Sequence, residues 1–171
     1  QILAAKGAHV LISGRRREVV EAAAQQFRAT GRRVDAVAAD VTTADGLAVT
    51  MAAVEQTLGG LDVLVNNAGG VRAGRLEATS EREIRAMIEV NLVAPILLTR
   101  AALPLLRRSG HGMVVDVSSA IALVGVPFYA TYAAAKAGIA HFGEALRREL
   151  KGEGVHVLNA YPGATDTPLM A

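Results

Sequence analysis

The chain has 171 residues, of which 51% are hydrophobic and 20% charged, and its mean hydropathy is +0.31. This composition predicts one soluble domain with a sizeable core. The net charge of +2, from 18 basic and 16 acidic side chains, gives no reason to expect a nucleic-acid partner. The absence of cysteine excludes disulfides and thiolate metal sites.

Two further classes are disfavoured by the residue pattern. No apolar run approaches the roughly 18 residues of a membrane span, and no signal-peptide pattern opens the chain. The four histidines are scattered without the spacing of metal ligands, at His9, His111, His141 and His156. We therefore expect a cytoplasmic enzyme or binding protein with no membrane partner and no metal.

The order of apolar runs predicts an alternating α/β fold. Residues 1–7 are typical of the last turns of a helix that ends at a glycine. The predicted strands follow at 9–13, 34–40, 61–67, 112–119 and 155–161, and the predicted helices at roughly 16–30, 44–58, 80–107 and 128–151. Strands that are apolar on both faces and separated by helices indicate a doubly wound parallel sheet in three α/β/α layers. No repeat or linker divides the chain, so residues 1–171 are expected to form a single domain.

The residues that follow the predicted strands are small or hydrogen-bonding. In chain order they are SGRRR, ADVT, NNAGG, VSSAI and YPGATDT. Ligands of such sheets bind beyond the carboxyl ends of the strands, so we expect the functional site there. A glycine-rich turn for a pyrophosphate is missing, because the glycines at 69–74 and 152–154 lack its spacing and its place between a strand and a helix.

The segment FYATYAAAKAG, residues 128–138, contains two tyrosines and a lysine. Residues four apart share one face of a helix, so Tyr132 faces Lys136, whereas Tyr129 has an alanine at that position. A nearby positive charge favours the tyrosinate, and a helix that begins near Pro127 would act in the same direction through its dipole. The spacing therefore favours Tyr132 as a general acid/base. The structural alternative is a half-buried aromatic side chain beside a solvated lysine.

Several motifs occur together in a recognisable order. They are DVT at 40–42, NNAG at 66–69, Asn91, the serine pair at 118–119, Tyr132, Lys136 and PG at 162–163. With this set the sequence resembles the short-chain dehydrogenase/reductase family of Rossmann-fold oxidoreductases over essentially its whole length. The intervals agree as well, since Ser119 lies 13 residues before Tyr132 and Asn91 lies 24 after Asn67. The resemblance implies NAD(P)-dependent hydride transfer between an alcohol and a ketone.

The resemblance also bears on the ends of the chain. Members of the family carry a first strand and a TGxxxGxG loop before the position of Gln1, and a substrate-covering segment with a last strand after that of Ala171. The first strand of the family lies between the strands predicted at 9–13 and 61–67. Without it, the sheet is expected to split and to expose two apolar edges. We therefore expect these residues to be part of a longer chain, with a partial cofactor domain.

The resemblance implies four catalytic side chains. Tyr132 is the general acid/base, and Lys136 lowers its pKa and holds the nicotinamide ribose. Ser119 polarises the substrate oxygen, and Asn91 holds a water in the proton relay. Strand alternation sends Ser118 and Ser119 to opposite faces, and the family interval selects Ser119. The alternatives are that both serines merely cap a strand end and that Asn91 belongs to an irregular part of a helix.

The cofactor contacts that the resemblance implies come from several loops. They are Asp40 and Val41 at the adenine, Asn67, Ala68 and Gly69 beside the adenosine ribose, Tyr132 and Lys136, and Pro162, Gly163, Thr165 and Thr167 at the nicotinamide carboxamide. NAD-using members have an acid where this chain has Gly14, and an acid would repel a 2′-phosphate. Arg15 and the two arginines after it can bind that phosphate, so we expect NADP, with NAD as the second possibility. The alternative is that the arginines form the solvated start of a helix.

Three functions are compatible with these residues. The first is an NADP-dependent alcohol dehydrogenase or carbonyl reductase, and the second is a 3-oxoacyl-carrier-protein reductase with the same chemistry. The third is a non-catalytic dinucleotide-binding subunit, which retention of all four catalytic side chains disfavours. Departures from the family pattern affect the surroundings of the site, at Ile121, Ala122, Asp116 and Ala135. The run at 122–128 predicts an apolar substrate wall. Members of the family commonly form tetramers through the helices that correspond to 80–107 and 128–151, and these are long and rich in alanine and leucine here, so the resemblance implies a homo-oligomer, either a tetramer or a dimer.

Overall fold

The computed structural model describes residues 2–163, in which strands and helices alternate. The strands are β1 (Val10–Gly14), β2 (Val34–Ala38), β3 (Val63–Asn66), β4 (Gly112–Val117) and β5 (Val155–Ala160). The helices are α1 (Ile2–Ala5), α2 (Arg17–Arg28), α3 (Ala44–Ala53), α4 (Glu81–Ile88), α5 (Ala94–Ser109) and α6 (Ala130–Glu149). A π-helical turn at Val54–Leu58 extends α3, and another at Glu89–Val93 joins α4 to α5. Every predicted strand and helix is present, with boundaries shifted by at most two residues.

The strands form two sheets, one in each of two compact units. Along the chain, the first unit ends at Leu61 and the second begins at Asp62. In the first unit, β1 and β2 are a parallel pair. In the second, the parallel order is β3-β4-β5. Val63 and Val65 on the edge strand β3 are 40% and 44% exposed. The predicted α/β class is confirmed, and so is the predicted split of the sheet within residues 2–163.

The second unit brings the carboxyl ends of its three strands together. Asn66 is paired with Asp116 in register, and Val117 with Ala160, so the loops after β3, β4 and β5 begin at one edge of the sheet. Helices α5 and α6 cover the sheet, with Leu106, Val114 and Ile139 almost completely buried. This edge is where the sequence predicts the functional site.

Local signals explain where two helices begin. The Thr43 side chain caps α3 by accepting a hydrogen bond from the Gly46 amide at 3.0 Å. Ser80 and Glu83 form a capping box at the start of α4, in which each side chain accepts from the backbone amide of the other. Gly46 is also a packing requirement, because a Cβ there would lie 2.0 Å from the carbonyl oxygen of Asp40.

One helical run differs from expectation in its hydropathy. By length and composition alone, residues Glu81–Ser109 are apolar enough to cross a membrane, whereas the sequence was expected to contain no such run. The polar side chains of Asn91 and Thr99 in this run are each only 1% exposed, packed inside the second unit. Core helices of soluble proteins share these properties, so the run by itself carries no argument for a membrane.

Candidate active site

Ser119 and Tyr132 come together at the carboxyl end of β4. Ser119 is the second residue after this strand, and its hydroxyl is close enough to the Tyr132 phenol to lower the pKa of that phenol. The Ser119 oxygen also accepts a 3.3 Å hydrogen bond from the Ile121 amide, which fixes the side chain at the start of a short 3-10 turn. Two residues predicted to act on the same substrate oxygen are therefore adjacent, although they are 13 positions apart in the chain.

Tyr132 lies in the first turn of α6, which begins at Ala130 and not near Pro127 as expected. The delay has a local reason, since Phe128 has a φ of 70°, a left-handed conformation that cannot continue a right-handed helix. The carbonyl of Phe128 accepts a 2.9 Å hydrogen bond from the Gly74 amide, which holds this conformation in place. The later start leaves Tyr132 nearer the positive end of the helix than expected.

Lys136 is one turn after Tyr132, as the i+4 spacing predicts. Its ammonium nitrogen is 5.7 Å from the centroid of the Tyr132 ring and donates a 2.8 Å hydrogen bond to the carbonyl of Val117. The side chain is only 6% exposed, so it is not the solvated lysine of the structural alternative. An ammonium has three donors, and two remain for other acceptors.

Asn91 is held in the π-helical turn between α4 and α5. Its amide nitrogen donates to the carbonyls of Gly70 and Met87, at 2.7 and 2.9 Å. Its side-chain oxygen is buried and has no protein partner among the described residues. A Cβ placed on Gly69 would lie 2.9 Å from this oxygen and 3.8 Å from the Lys136 nitrogen, so all three residues adjoin. Such π turns frequently occur at functional sites.

A buried polar group that sequence reasoning missed lies beneath these residues. The Asn66 amide nitrogen donates to the Asp116 carboxylate at 2.7 Å and to the Thr99 hydroxyl at 2.9 Å. Ser118, the first residue after the strand that contains Asp116, donates to the backbone carbonyl of Lys136 at 2.8 Å. The one signal in the sequence was Asp116 itself, an acid where the family commonly has asparagine.

Burial dominates the electrostatics of the site. It raises the pKa of Tyr132 above its ordinary value, and the nearby Ser119 hydroxyl opposes this only in part. That Lys136 lowers the Tyr132 pKa stays a prediction, because in this structure the Tyr132 pKa is set by burial and by Ser119. Burial also lowers the pKa of Lys136, against the raising effect of the Asp116 charge. A phenol that keeps its proton is suited to donate it to a carbonyl oxygen.

In the first unit, the predicted adenine contact Asp40 follows β2. Its carboxylate accepts hydrogen bonds from the Thr42 hydroxyl at 2.7 Å and the Thr42 amide at 3.1 Å. These bonds, and more weakly the charge of Arg15, hold the Asp40 pKa below its ordinary value. A Cβ on Gly14 would meet the Val20 side chain at 2.7 Å, so this position disfavours the acid typical of NAD-using enzymes. Arg15 and Asp40 are thus close enough to interact.

The remaining predicted contacts lie in loops after β3 and β5. Asn67, Ala68 and Gly69 are exposed in the loop after β3. The Pro162 carbonyl accepts a 2.9 Å hydrogen bond from the Ala120 amide, next to Ser119. Gly163 follows it, and Thr165 and Thr167 lie outside the described residues.

A cavity of about 300 Å³ lies elsewhere in the second unit, lined by residues such as Arg147, Lys151 and His156. It is formed by the last turn of α6 and the start of β5, at the opposite ends of these elements from Tyr132 and Ala160. None of the predicted site residues lines it. The site predicted at the carboxyl ends of the strands therefore does not coincide with this cavity.

Comparison with known proteins agrees with this geometry. A family model described as short chain dehydrogenase matches residues 1–171. An uncharacterized oxidoreductase of Myxococcus xanthus is 34% identical over 99% of this chain and 67% of its own length. A 3-oxoacyl-(acyl-carrier-protein) reductase of Thermotoga maritima is 31% identical over 98% of this chain and 68% of its own.

Solved structures give the same result. A gluconate 5-dehydrogenase from Burkholderia cenocepacia in complex with NADP and tartrate matches with a TM-score of 0.91 and 28% identity, covering 98% of this chain and 66% of that one. The chain spans from 52% to 68% of the length of the curated relatives that it matches.

Proposed function

Because the chain belongs to the short-chain dehydrogenase/reductase family, we propose that it transfers a hydride between NADP(H) and an alcohol or ketone. The observation that carries this proposal is the cluster of Ser119, Tyr132 and Lys136 at the end of β4, with the phenol and hydroxyl adjacent and the ammonium one helical turn away. General acid/base groups must lie within hydrogen-bond reach of the atoms they protonate, and this cluster places two such groups side by side.

In the reducing direction, the proton goes from the Tyr132 phenol to the substrate oxygen while hydride reaches the carbonyl carbon, which gives the alcohol. Ser119 donates a hydrogen bond to the same oxygen and so stabilises the negative charge that develops there. The Lys136 ammonium stabilises the phenolate left behind. In the oxidising direction each of these transfers is reversed, and Tyr132 must first lose its proton.

The residues present fit a nicotinamide cofactor, which supplies the hydride when bound. Lys136 has two N–H donors left after its bond to Val117, and these suit ribose hydroxyls. The buried side-chain oxygen of Asn91 is an acceptor without a protein partner among the described residues, which suits a water in a proton relay to Lys136. Asn67, Ala68 and Gly69 would line the adenosine ribose, with Asp40 and Val41 at the adenine.

A preference for NADP rests on the residues after β1. Gly14 leaves no acid to repel a 2′-phosphate, and Arg15 follows in an exposed position. Arg16 precedes α2 as its N-terminal flanking residue without a side-chain cap, where a basic side chain opposes the helix dipole. A structural role explains these arginines poorly, whereas phosphate binding explains them. The Burkholderia cenocepacia relative was solved with NADP.

The two tyrosines provide the test. NADPH oxidation by the protein is measured against a panel of ketones, for the wild type, Tyr132→Phe and the matched control Tyr129→Phe. We expect Tyr132→Phe to lose activity by about 10²- to 10⁴-fold, as the removal of a general acid does, with NADPH binding retained. Tyr129→Phe should keep its activity, because position 129 has no lysine one turn later. If wild type and Tyr132→Phe are equally inert while NADPH binds, the chain is a non-catalytic dinucleotide-binding protein.

A second candidate is reduction of a 3-oxoacyl chain on a carrier protein, which the similarity to the Thermotoga maritima reductase favours. Adding a 3-oxoacyl-carrier-protein to the same panel decides between them, since preference for the carrier-bound over the free ketone would select this function. We also propose a homo-oligomer formed through α6 and through the helical run of α4 and α5, and a monomer in light scattering would contradict it.

A further inference from the structure

Asp116 and Lys136 are the only charged residues that are buried in the part of the chain that the structure describes. They are 0% and 6% exposed, while the other charged side chains of residues 2–163 are more exposed. Asp116 lies on β4 and Lys136 on the helix that covers it. A charge taken out of water needs an opposite charge or strong hydrogen bonds nearby.

The backbone places the two side chains on the same side of the sheet. Ser118 is the first residue beyond β4 and lies two positions after Asp116, so the alternation of side chains along an extended chain places it on the face of Asp116. The Ser118 hydroxyl donates to the backbone carbonyl of Lys136 at 2.8 Å, which shows that α6 covers this face at Lys136. The Lys136 ammonium in turn donates to the carbonyl of Val117, the residue between them, also at 2.8 Å. Lys136 is therefore anchored on both of the positions that follow Asp116.

The carboxylate has too few partners of its own. One oxygen of Asp116 accepts from Asn66 at 2.7 Å, and the other is buried without a hydrogen-bond partner among the described residues. The Lys136 ammonium makes no direct ion pair with Asp116, so the two charges act on each other at a distance beyond 4.0 Å. We propose that Asp116 is the buried counter-ion of Lys136 and acts on the reaction through it, by keeping the ammonium charged while Tyr132 gains and loses its proton. The consequence for catalysis rests on the proposed function, whereas the charge pairing does not.

The charges of Asp116 and Lys136 each oppose the effect of burial on the pKa of the other. Burial raises the Asp116 pKa, against the hydrogen bond from Asn66 and the charge of Lys136. Burial lowers the Lys136 pKa, and the Asp116 charge opposes it. The other charged or titratable side chains on described elements that pack against α6 are Glu81, Arg82, Glu83, Arg85, Glu89, Arg100, Arg107, Arg108 and His156. Of all these groups and Asp116, only Asp116 has a charge that acts on the Lys136 pKa. On α6 itself, the titratable neighbour of Lys136 is Tyr132.

The test measures the protonation of Lys136 directly, with or without enzymatic activity. The protein is labelled with ¹³C-lysine, and the Lys136 signal is identified by its absence from Lys136→Arg; the chain's three lysines keep the spectrum sparse. In Asp116→Asn we expect the Lys136 pKa to fall by about one pH unit or more, because an opposite charge has been removed. Thr99→Val is the matched control, since it breaks the bond from Asn66 without changing any charge. An unchanged Lys136 titration in Asp116→Asn would overturn the proposal.

A second readout connects the pair to the reaction. In the pH profile of alcohol oxidation, the alkaline limb reports loss of the Lys136 charge, and we expect it to move to lower pH in Asp116→Asn and to stay in place in Thr99→Val. A uniform loss of rate with an unmoved limb would mean a structural role only, and it too would overturn the proposal. Should Asp116→Asn not fold, the carboxyl signal of Asp116 is followed in Lys136→Gln, where its pKa is expected to rise. An enzyme inactive in every assay would count against the proposed function, while the lysine titration would still decide the pairing.

Discussion

The two units of the chain place their functional side chains in opposite surroundings. In the first, Arg15 is exposed, and the buried residues of the hydrophobic cluster, Ala4, Ala24 and Val34, are small. In the second, six polar side chains are buried, and one of them, Asn66, is hydrogen-bonded to two others, Thr99 and Asp116; the remaining three are Asn91, Ser118 and Lys136. Apart from Thr50, every buried polar side chain in the described part of the chain belongs to this second unit.

The difference indicates how each unit works. Exposed charges act through water, are screened by salt and can be changed with little effect on folding. Buried polar groups cost stability unless they are paired, and their pKa values follow from that burial. We therefore expect substitutions in the first unit to change which cofactor is used, and substitutions in the second to change the chemistry or the stability.

The largest effect is expected from the serine pair of the second unit. Ser119→Ala should lower kcat by about 10²- to 10³-fold with little change in the KM for NADPH, because it removes a donor to the substrate oxygen. Ser118→Ala should keep most of the activity and lose about 1 kcal/mol of unfolding free energy, because its buried bond to Lys136 is structural. Steady-state kinetics and denaturant unfolding of both variants make the comparison. Equal losses of activity would show that the two serines are not functionally distinct.

The sequence predicts those features of the site that depend on residues close together in the chain. It does not predict those that depend on residues far apart. The pairing of Tyr132 with Lys136 follows from local helical spacing, and the structure has it. The burial that raises the Tyr132 pKa does not follow from spacing, because it depends on how α6 packs on the sheet. Likewise the bond between Asn66 and Asp116 joins residues 50 positions apart, which sequence periodicity does not reveal. The start of α6 likewise depends on a contact between distant residues, because the left-handed Phe128, held by the Gly74 amide, delays the helix.

An intermediate effect is expected from the exposed arginine of the first unit. Arg15→Gln should raise the KM for NADPH about tenfold and leave that for NADH nearly unchanged, since a charge-assisted bond to a phosphate is lost. Rising salt should weaken NADPH use by the wild type more than by the variant. Arg28→Gln is the matched control, because Arg28 is exposed but pairs with Glu21 on the same helix. The same change for both cofactors would place Arg15 outside the 2′-phosphate site.

The smallest effect is expected at Asp40 in the first unit. Here the question is whether the hydrogen bonds from Thr42 to its carboxylate stabilise the protein measurably. The Thr42 bonds depress the folded pKa of Asp40 below its unfolded value of about 3.8, so they stabilise the protein above that pH and cease to do so as pH falls through the folded pKa. Thr42→Val removes the hydroxyl bond of 2.7 Å and should cost about 1 kcal/mol at pH 7.

The pH dependence separates this bond from simple packing. The difference in unfolding free energy between wild type and Thr42→Val should shrink as the pH is lowered past the Asp40 pKa, because a protonated carboxyl accepts the bond more weakly. Thr42→Ser keeps the hydroxyl and should therefore follow the wild type across the whole range, apart from a constant loss due to its missing methyl group. A difference for Thr42→Val that is equally large at pH 7 and at low pH would assign the effect to the packing of the methyl group that replaces the hydroxyl. In that case the Asp40 carboxylate would be fixed by the Thr42 amide alone, and the first unit would depend less on charge than the comparison between the units implies.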